Sequence, residues 1–218
     1  MRIWLYGKPF SGKTTFVSKI PNSIILSTDG NAKGLFPDDR IIPIKNITDL
    51  NTFLTNWENG KYKGIDTIII DVVEYLYDII REYTLEKNKI TYEADLGYAK
   101  GWRLVSDAEW FTFSKLARLA ENVIFISHED EYVETSSVGK ETTKYRPALN
   151  QKLHDKMTGL MTIVCRAIVK DIKLNDTITR KYYISIGDDS SELSGTRMKL
   201  KETKIENSWN EFVKNIEK

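Results

Sequence analysis

The residues with the most explicit chemistry stand near the start of the chain, where Gly7-Lys8-Pro9-Phe10-Ser11-Gly12-Lys13-Thr14 fits the pattern G-x-x-x-x-G-K-[ST]. In that pattern the glycines let the backbone curl so that successive N–H groups face one anion, and phosphate is the natural occupant. Lys13 would reach the β- and γ-phosphates of a bound nucleotide as a mobile point charge. The Thr14 hydroxyl would be a ligand for Mg²⁺, and Thr15 would contact the α-phosphate. A carboxylate completes the set. Thr67-Ile68-Ile69-Ile70-Asp71 reads as a buried strand ending in an acid, the Walker B arrangement, with Asp71 holding Mg²⁺ through water beside Thr14.

Hydrolysis also needs a group that orients or deprotonates the attacking water. Many P-loop enzymes place a glutamate directly after the Walker B aspartate, but here that position is Val72. Two acids remain. Asp29 ends the strand next in sequence, whereas Glu74 lies farther along and starts the following helix, so geometry ranks Asp29 first. The apolar run Val123-Ile124-Phe125-Ile126 ends in Ser127-His128 at the same sheet edge as Asp71. In a parallel sheet that edge faces the ligand, which places Ser127 and His128 to sense the γ-phosphate; a purely structural histidine is the other reading.

These groups need strands and helices behind them. Residues 2–6 read as a short buried strand, 14–20 as a helix, and 24–27 as a strand buried on both faces. Residues 40–44 read as an edge strand, because Pro43 cannot donate to a central ladder. Thr48-Asp49 would cap a helix that Gly60 closes, and residues 73–86 form an amphipathic helix. Residues 87–106 are less regular. Their Lys87, Lys89, Lys100 and Arg103 alternate with Tyr92, Tyr98 and Trp102, which suits either a single-strand-binding loop or a solvated connection with docked aromatics. Asp107 would cap a helix to about 121. Residues 129–150 lack periodicity and read as a long loop, functional or disordered. A short helix over 149–157 would stop at Gly159, strands over 160–169 and 177–186 would form an antiparallel hairpin around Asn175-Asp176, and a helix over 207–216 would close the chain.

Composition sets limits on the whole. The 218 residues suit one domain over 1–218, and the +1 formal net charge argues against a generally nucleic-acid-coated protein. Any DNA contact must come from a local patch. Cys165, the lone cysteine, sits in an apolar run as a small hydrophobe. The chain opens on a core strand, with no signal pattern and no apolar run long enough to span a bilayer, so the expectation is a cytoplasmic protein without a membrane partner.

Together these residues resemble the RecA-type recombinase core. Thr28-Asp29-Gly30 is similar to the family's Thr-Glu-Gly turn, with aspartate in place of glutamate, and Phe36-Pro37-Asp38-Asp39-Arg40 is similar to its Phe-Arg-Pro-Glu-Arg stretch. Ser127-His128 stands where that family has Asn-Gln, Arg180 to Gly187 resembles its late basic hairpin, and Ser194-Gly195-Thr196-Arg197 its Glu-Thr-Arg element. The terse start, the histidine after the sensor strand and Gly101-Trp102 look like the small phage-type RecA-like ATPases, the fourth Sak family of single-strand annealing proteins. The resemblance implies a three-layer α/β RecA-like P-loop fold with a mostly parallel sheet and a C-terminal antiparallel hairpin. It implies an ATPase using ATP (or ADP) and Mg²⁺, with Lys13, Asp29, Asp71 and His128 as its catalytic set. It further implies phage recombination through single-stranded DNA, a homo-oligomer built as a ring or filament, and a single-strand-binding protein as partner. Residues 129–150 would then be the DNA-contacting loop with Lys140, Lys144 and Arg146 on phosphates, and Arg180, Lys181 or Arg197 would act in trans on a neighbour's γ-phosphate. A P-loop nucleoside or nucleotide kinase and a non-hydrolysing nucleotide switch are the rival classes.

Overall fold

Strands form where consecutive apolar residues have both faces to bury, and helices form where apolar residues recur on one face. The computed structural model describes residues 1–137, 139–174 and 177–217. Five parallel strands carry the site: β1 (Arg2–Tyr6), β2 (Ser23–Ser27), β4 (Thr67–Asp71), β5 (Asn122–Ser127) and the first half of β8 (Ile163–Leu174). With β3 (Ile41–Pro43) at one edge and β9 (Thr177–Ser185) and β11 (Lys204–Glu206) at the other, the order is β11-β9-β8-β1-β5-β4-β2-β3. The short β10 (Gly195–Thr196) adds to β8. Pro43 lies on the edge strand, as its missing N–H requires.

Helices cover both faces. One face, with Trp4, Ile24, Leu26, Ile68, Ile70, Val123 and Phe125, packs under α2 (Ile47–Glu58), α3 (Val73–Lys87), α4 (Lys100–Leu116) and α5 (Gln151–Leu160). The other, with Ile3, Leu5, Ile25, Ile69, Ile124 and Cys165, packs under α1 (Lys13–Ser18) and α6 (Trp209–Asn215), where Phe16 meets Trp209 and Phe212 edge-on. This is the three-layer α/β arrangement with a mostly parallel sheet and an antiparallel end that the sequence predicts. Cys165 is fully buried, and no described helix is long and apolar enough to cross a membrane.

Several local expectations are corrected. Residues 129–150 are not a loop: β6 (Glu129–Thr135) and β7 (Glu141–Pro147) pair as a separate antiparallel ribbon. The helix expected from Asp107 begins at Lys100, and Asp107 lies inside it, 3.5 Å from Arg103 one turn away. The cap of α2 is Asn46, whose side chain accepts from Asp49 N, while Asp49 accepts from Lys45 N at 2.9 Å. Gly159 falls inside α5, which ends one residue later. The hairpin pairing of β8 with β9 is present, but its turn residues Asn175 and Asp176 lie outside the described residues.

Candidate nucleotide-binding site

β1 delivers the P-loop to the carboxyl edge of the sheet between β5 and β8. Gly7 is there by necessity, since a Cβ on it would lie 2.5 Å from the Ala167 carbonyl oxygen on β8. Gly12, at φ 86°, turns the chain into α1, and a Cβ there would stand 2.8 Å from the Asn207 side-chain amide. Asn207 in turn donates to the Gly12 carbonyl at 3.3 Å, bracing the loop from 195 residues away. Lys8, Pro9 and Phe10 form the outer lip, with Phe10 97% exposed.

Lys13 is buried, and its ammonium donates to the carbonyls of Gly7 at 2.6 Å and Lys8 at 2.8 Å. Burial lowers its proton affinity, opposed by the charges of Asp71, Glu74 and Glu129. Thr14 Oγ1 donates to Asp71 Oδ2 at 2.9 Å, so the hydroxyl and carboxylate read from sequence as the metal pair are in contact. Burial pushes the Asp71 carboxyl up to about 6, against the Thr14 bond and helped by repulsion from Asp29. The end of β4 is clamped to β2, because Thr28 Oγ1 both accepts from Val72 N at 2.8 Å and donates to Val72 O at 2.9 Å. The Asp71–Val72 peptide is cis. Thr15 is exposed on the first turn of α1.

Asp29 and Glu74 both reach this neighbourhood, in different states. Asp29 is half-exposed past the end of β2, with its oxygens accepting from Asn31 N at 2.9 Å and Asn31 Nδ2 at 2.8 Å. Glu74 Oε1 accepts from His128 N at 2.7 Å, and its buried Oε2, 3.8 Å from His128 Nδ1, has no hydrogen-bond partner. Burial pushes the Glu74 carboxyl up to about 7. His128 is shifted down, by burial first and then by Lys13, against the charge of Asp29. Ser127 is buried and accepts from the indole N–H of Trp4 at 2.7 Å, so it anchors the strand.

A buried ion cluster beside the loop was not foreseen. Arg166 on β8 meets Glu129 at 2.6 and 2.9 Å and Glu192 at 3.2 Å, and its guanidinium covers the Tyr145 ring at 3.7 Å. An arginine inside an otherwise apolar strand was the available signal. Next to it a cavity of about 650 Å³ runs from Lys8–Ser11 along β8, which suits a small ligand.

The expected DNA and trans residues lie apart from one another. Lys140 sits in the exposed turn of the β6–β7 ribbon, Lys144 pairs with Glu134 at 3.3 Å, and Arg146 pairs with Asp130 at 3.1 Å. Arg180 pairs with Asp171 at 3.0 Å on the part of β8–β9 that passes beyond the carboxyl edge, and Lys181 approaches Glu206 at 4.0 Å. Arg197 donates to the carbonyls of Met161 and Gly159 near the amino end of β1, opposite its own P-loop.

The residues present fit a nucleotide and Mg²⁺: a glycine cradle that a Cβ would obstruct, a buried ammonium, a hydroxyl–carboxylate pair, and Ser11 Oγ buried without a hydrogen-bond partner. Among solved structures, the chain is similar to the flagellar accessory protein FlaH from Methanocaldococcus jannaschii. The two are 9% identical over 84% of this chain and 76% of that one, with a TM-score of 0.40. It is also similar to the KaiC-like protein PH0186 from Pyrococcus horikoshii OT3, with 10% identity over 90% and 83% of the two chains and a TM-score of 0.46. No curated protein matches the chain in sequence. A P-loop on β1, a strand inserted between β1 and the Walker B strand β4, and helices on both faces make this a RecA-like P-loop ATPase fold, and the AAA domain model matches residues 1–216, so the chain belongs to the AAA domain family.

Proposed function

We propose that the chain is a Mg²⁺- and ATP-dependent ATPase that works as an oligomer on single-stranded DNA and promotes annealing or strand exchange in phage recombination. The observation that carries the ATPase part is the 2.9 Å contact between Thr14 and Asp71 with the Lys13 ammonium on the adjoining loop carbonyls. Gly7 to Thr15 would hold the phosphates, and Thr14 and Asp71 would hold the metal. Bound Mg²⁺ would neutralise charge on the phosphate oxygens. On the protein side, Lys13 exchanges its carbonyl partners for phosphate oxygens. Asp29, the accessible carboxylate, orients the attacking water and takes its proton. Glu74 is a positioning residue instead: its Oε1 accepts from His128 N, and its role is to hold His128.

For the nucleic acid, support comes from what projects on the carboxyl-edge side: the turn with Lys140, the β8–β9 extension with Arg180, and the entry to α4 with exposed Tyr98 just before the helix and Trp102 in its first turn. Such cation and aromatic groups give salt-sensitive, largely sequence-independent affinity. Arg180, Lys181 or Arg197 from a neighbouring copy would add a cation to the transferring phosphate. Each is tested by adding an inactive Lys13→Ala protomer that retains the cation to one that lacks it; restored turnover supports action in trans. The class is tested by phosphate release and by phosphate transfer. Wild-type protein releases phosphate from ATP with Mg²⁺ and Lys13→Ala does not, whereas transfer to an added nucleoside or nucleotide would replace this reading with a kinase.

A further inference from the structure

A second groove lies between α3, the first turns of α4 and the start of α5, with a volume of about 580 Å³. Its rim is aromatic and basic. Tyr98 is 100% and Trp102 58% exposed, and Lys100, Arg103 and Lys152 stand beside them as exposed cations. Among the described residues these three make one ion pair, Arg103 with Asp107 at 3.5 Å, which is solvent-exposed and therefore weak. The rim is also held in place. Gly101 presses α4 onto the turn at residues 93–96, where a Cβ would lie 2.1 Å from the Glu93 carbonyl oxygen, and Arg81 grips the Glu93 carboxylate at 2.6 and 2.9 Å. Tyr98 and Ala99, at φ 45° and 57°, adopt a left-handed backbone that side chains disfavour, which turns the Tyr98 ring to solvent.

The floor has the opposite character. Glu109 is 1% exposed, yet it lines the groove and its Oε1 has no hydrogen-bond partner. Tyr77 and Asn150, the cap of α5, line the groove beside it. Burial pushes the Glu109 carboxyl up to about 7, and above that pH it is a carboxylate that accepts only, so the ligand group that completes it there is an N–H or O–H donor. A cationic ligand is disfavoured by the three cations at the mouth. A planar aromatic ring bearing an amine and carrying phosphate satisfies all three features.

We propose that this groove is a nucleobase pocket for single-stranded DNA, in which Tyr98 and Trp102 stack the base, Lys100, Arg103 and Lys152 pair its phosphates, and Glu109 accepts from an exocyclic amine. The proposal rests on the single-stranded DNA reading above and narrows it to a place and a preference. Cytosine and adenine present such an amine, whereas the one N–H of thymine is flanked by two carbonyl oxygens that a carboxylate repels, so the pocket favours oligo(dC) and oligo(dA) over oligo(dT). Tyr77 and Asn150 also line the neighbouring cavity that Glu74 borders, so the base pocket stands one helical turn of α3 from the residue holding His128.

The test is fluorescence anisotropy at pH 8, above the value to which burial raises Glu109, of labelled oligo(dC) and oligo(dT) with the full chain, wild type against Trp102→Ala and Glu109→Gln, over a salt series. Trp102→Ala weakens both oligonucleotides by roughly tenfold, the scale of one lost base stack. Glu109→Gln removes the preference for oligo(dC) and leaves oligo(dT) binding as in wild type. Because Glu109 is buried, its variant is first checked for a native melting transition. If it does not fold, Trp102→Ala and Lys152→Ala, both at exposed positions, decide the matter by the same loss of affinity. Wild type that binds both oligonucleotides while all variants match it overturns the pocket and leaves the DNA reading intact. Wild type that binds neither at low salt overturns both.

Discussion

Replacing Glu74 by glutamine isolates the electrostatic cost built into the site. The carboxyl is buried under His128 and faced by Lys13 and Asp71, and burial raises it from 4.5 to about 7. The folded state therefore holds this proton more firmly than the unfolded chain does. Its stabilising contribution is complete below about pH 4.5 and is lost as pH rises through about 7. Ionised Glu74 then costs the folded, nucleotide-free protein about 3 kcal/mol, from 1.36 kcal/mol for each pH unit of the rise. Glutamine keeps the acceptor for His128 N and carries no proton to lose. Its pH-independent cost or gain cancels when the two proteins are compared at two pH values, as does the effect of Glu109, which both proteins retain. Urea unfolding at pH 5 and pH 8 reads the difference. Relative to wild type, Glu74→Gln gains about 2–3 kcal/mol on going from the lower to the higher pH. A difference that does not change with pH would refute the burial argument for this carboxyl.

Other outcomes follow from the same geometry. Asp29→Asn keeps nucleotide affinity and loses about 10²-fold or more in turnover, measured by ATP binding and phosphate release; an equal loss in Glu74→Gln would move the water-activating role to Glu74. Arg166→Ala leaves Glu129 and Glu192, with side chains 1% and 4% exposed, without their cation. It costs about 3–5 kcal/mol in urea unfolding, and a loss well under 1 kcal/mol would show that the cluster relaxes. Gly7→Ala drives a Cβ against the Ala167 carbonyl and abolishes nucleotide binding, measured by titration with a fluorescent ATP analogue; retained affinity would contradict the close approach described for the loop.

The parts of this molecule legible in its sequence are those where one physical demand dominates. β1, β2, β4 and β5 are continuous apolar runs because both faces are covered, and the motif residues at their ends occupy one sheet edge because parallel strands share a direction. The start of α4 was hidden because Gly97, Gly101 and interspersed lysines resemble a loop; the glycine at 101 is required by contact with Glu93, which only the tertiary structure reveals. The β6–β7 ribbon was hidden because it lies outside the core and most of its residues are exposed or half-buried, so no clean alternation marks it. Lys144 and Arg146, read as free cations, have acidic partners on the facing strand of that ribbon, a pairing set by register. Asn207 reaches the P-loop and Arg166 gathers Glu129 and Glu192 beside it, both from distant segments, and no local spacing announces them.

The central claim, a Mg²⁺-dependent ATPase acting on single-stranded DNA, is tested most directly by phosphate release from ATP with and without single-stranded DNA over a range of salt. The account predicts turnover that requires Mg²⁺, is absent in Lys13→Ala, and is stimulated by DNA to a degree that fades as salt rises. Turnover that survives Lys13→Ala, or that is indifferent to DNA at every salt concentration, would contradict it.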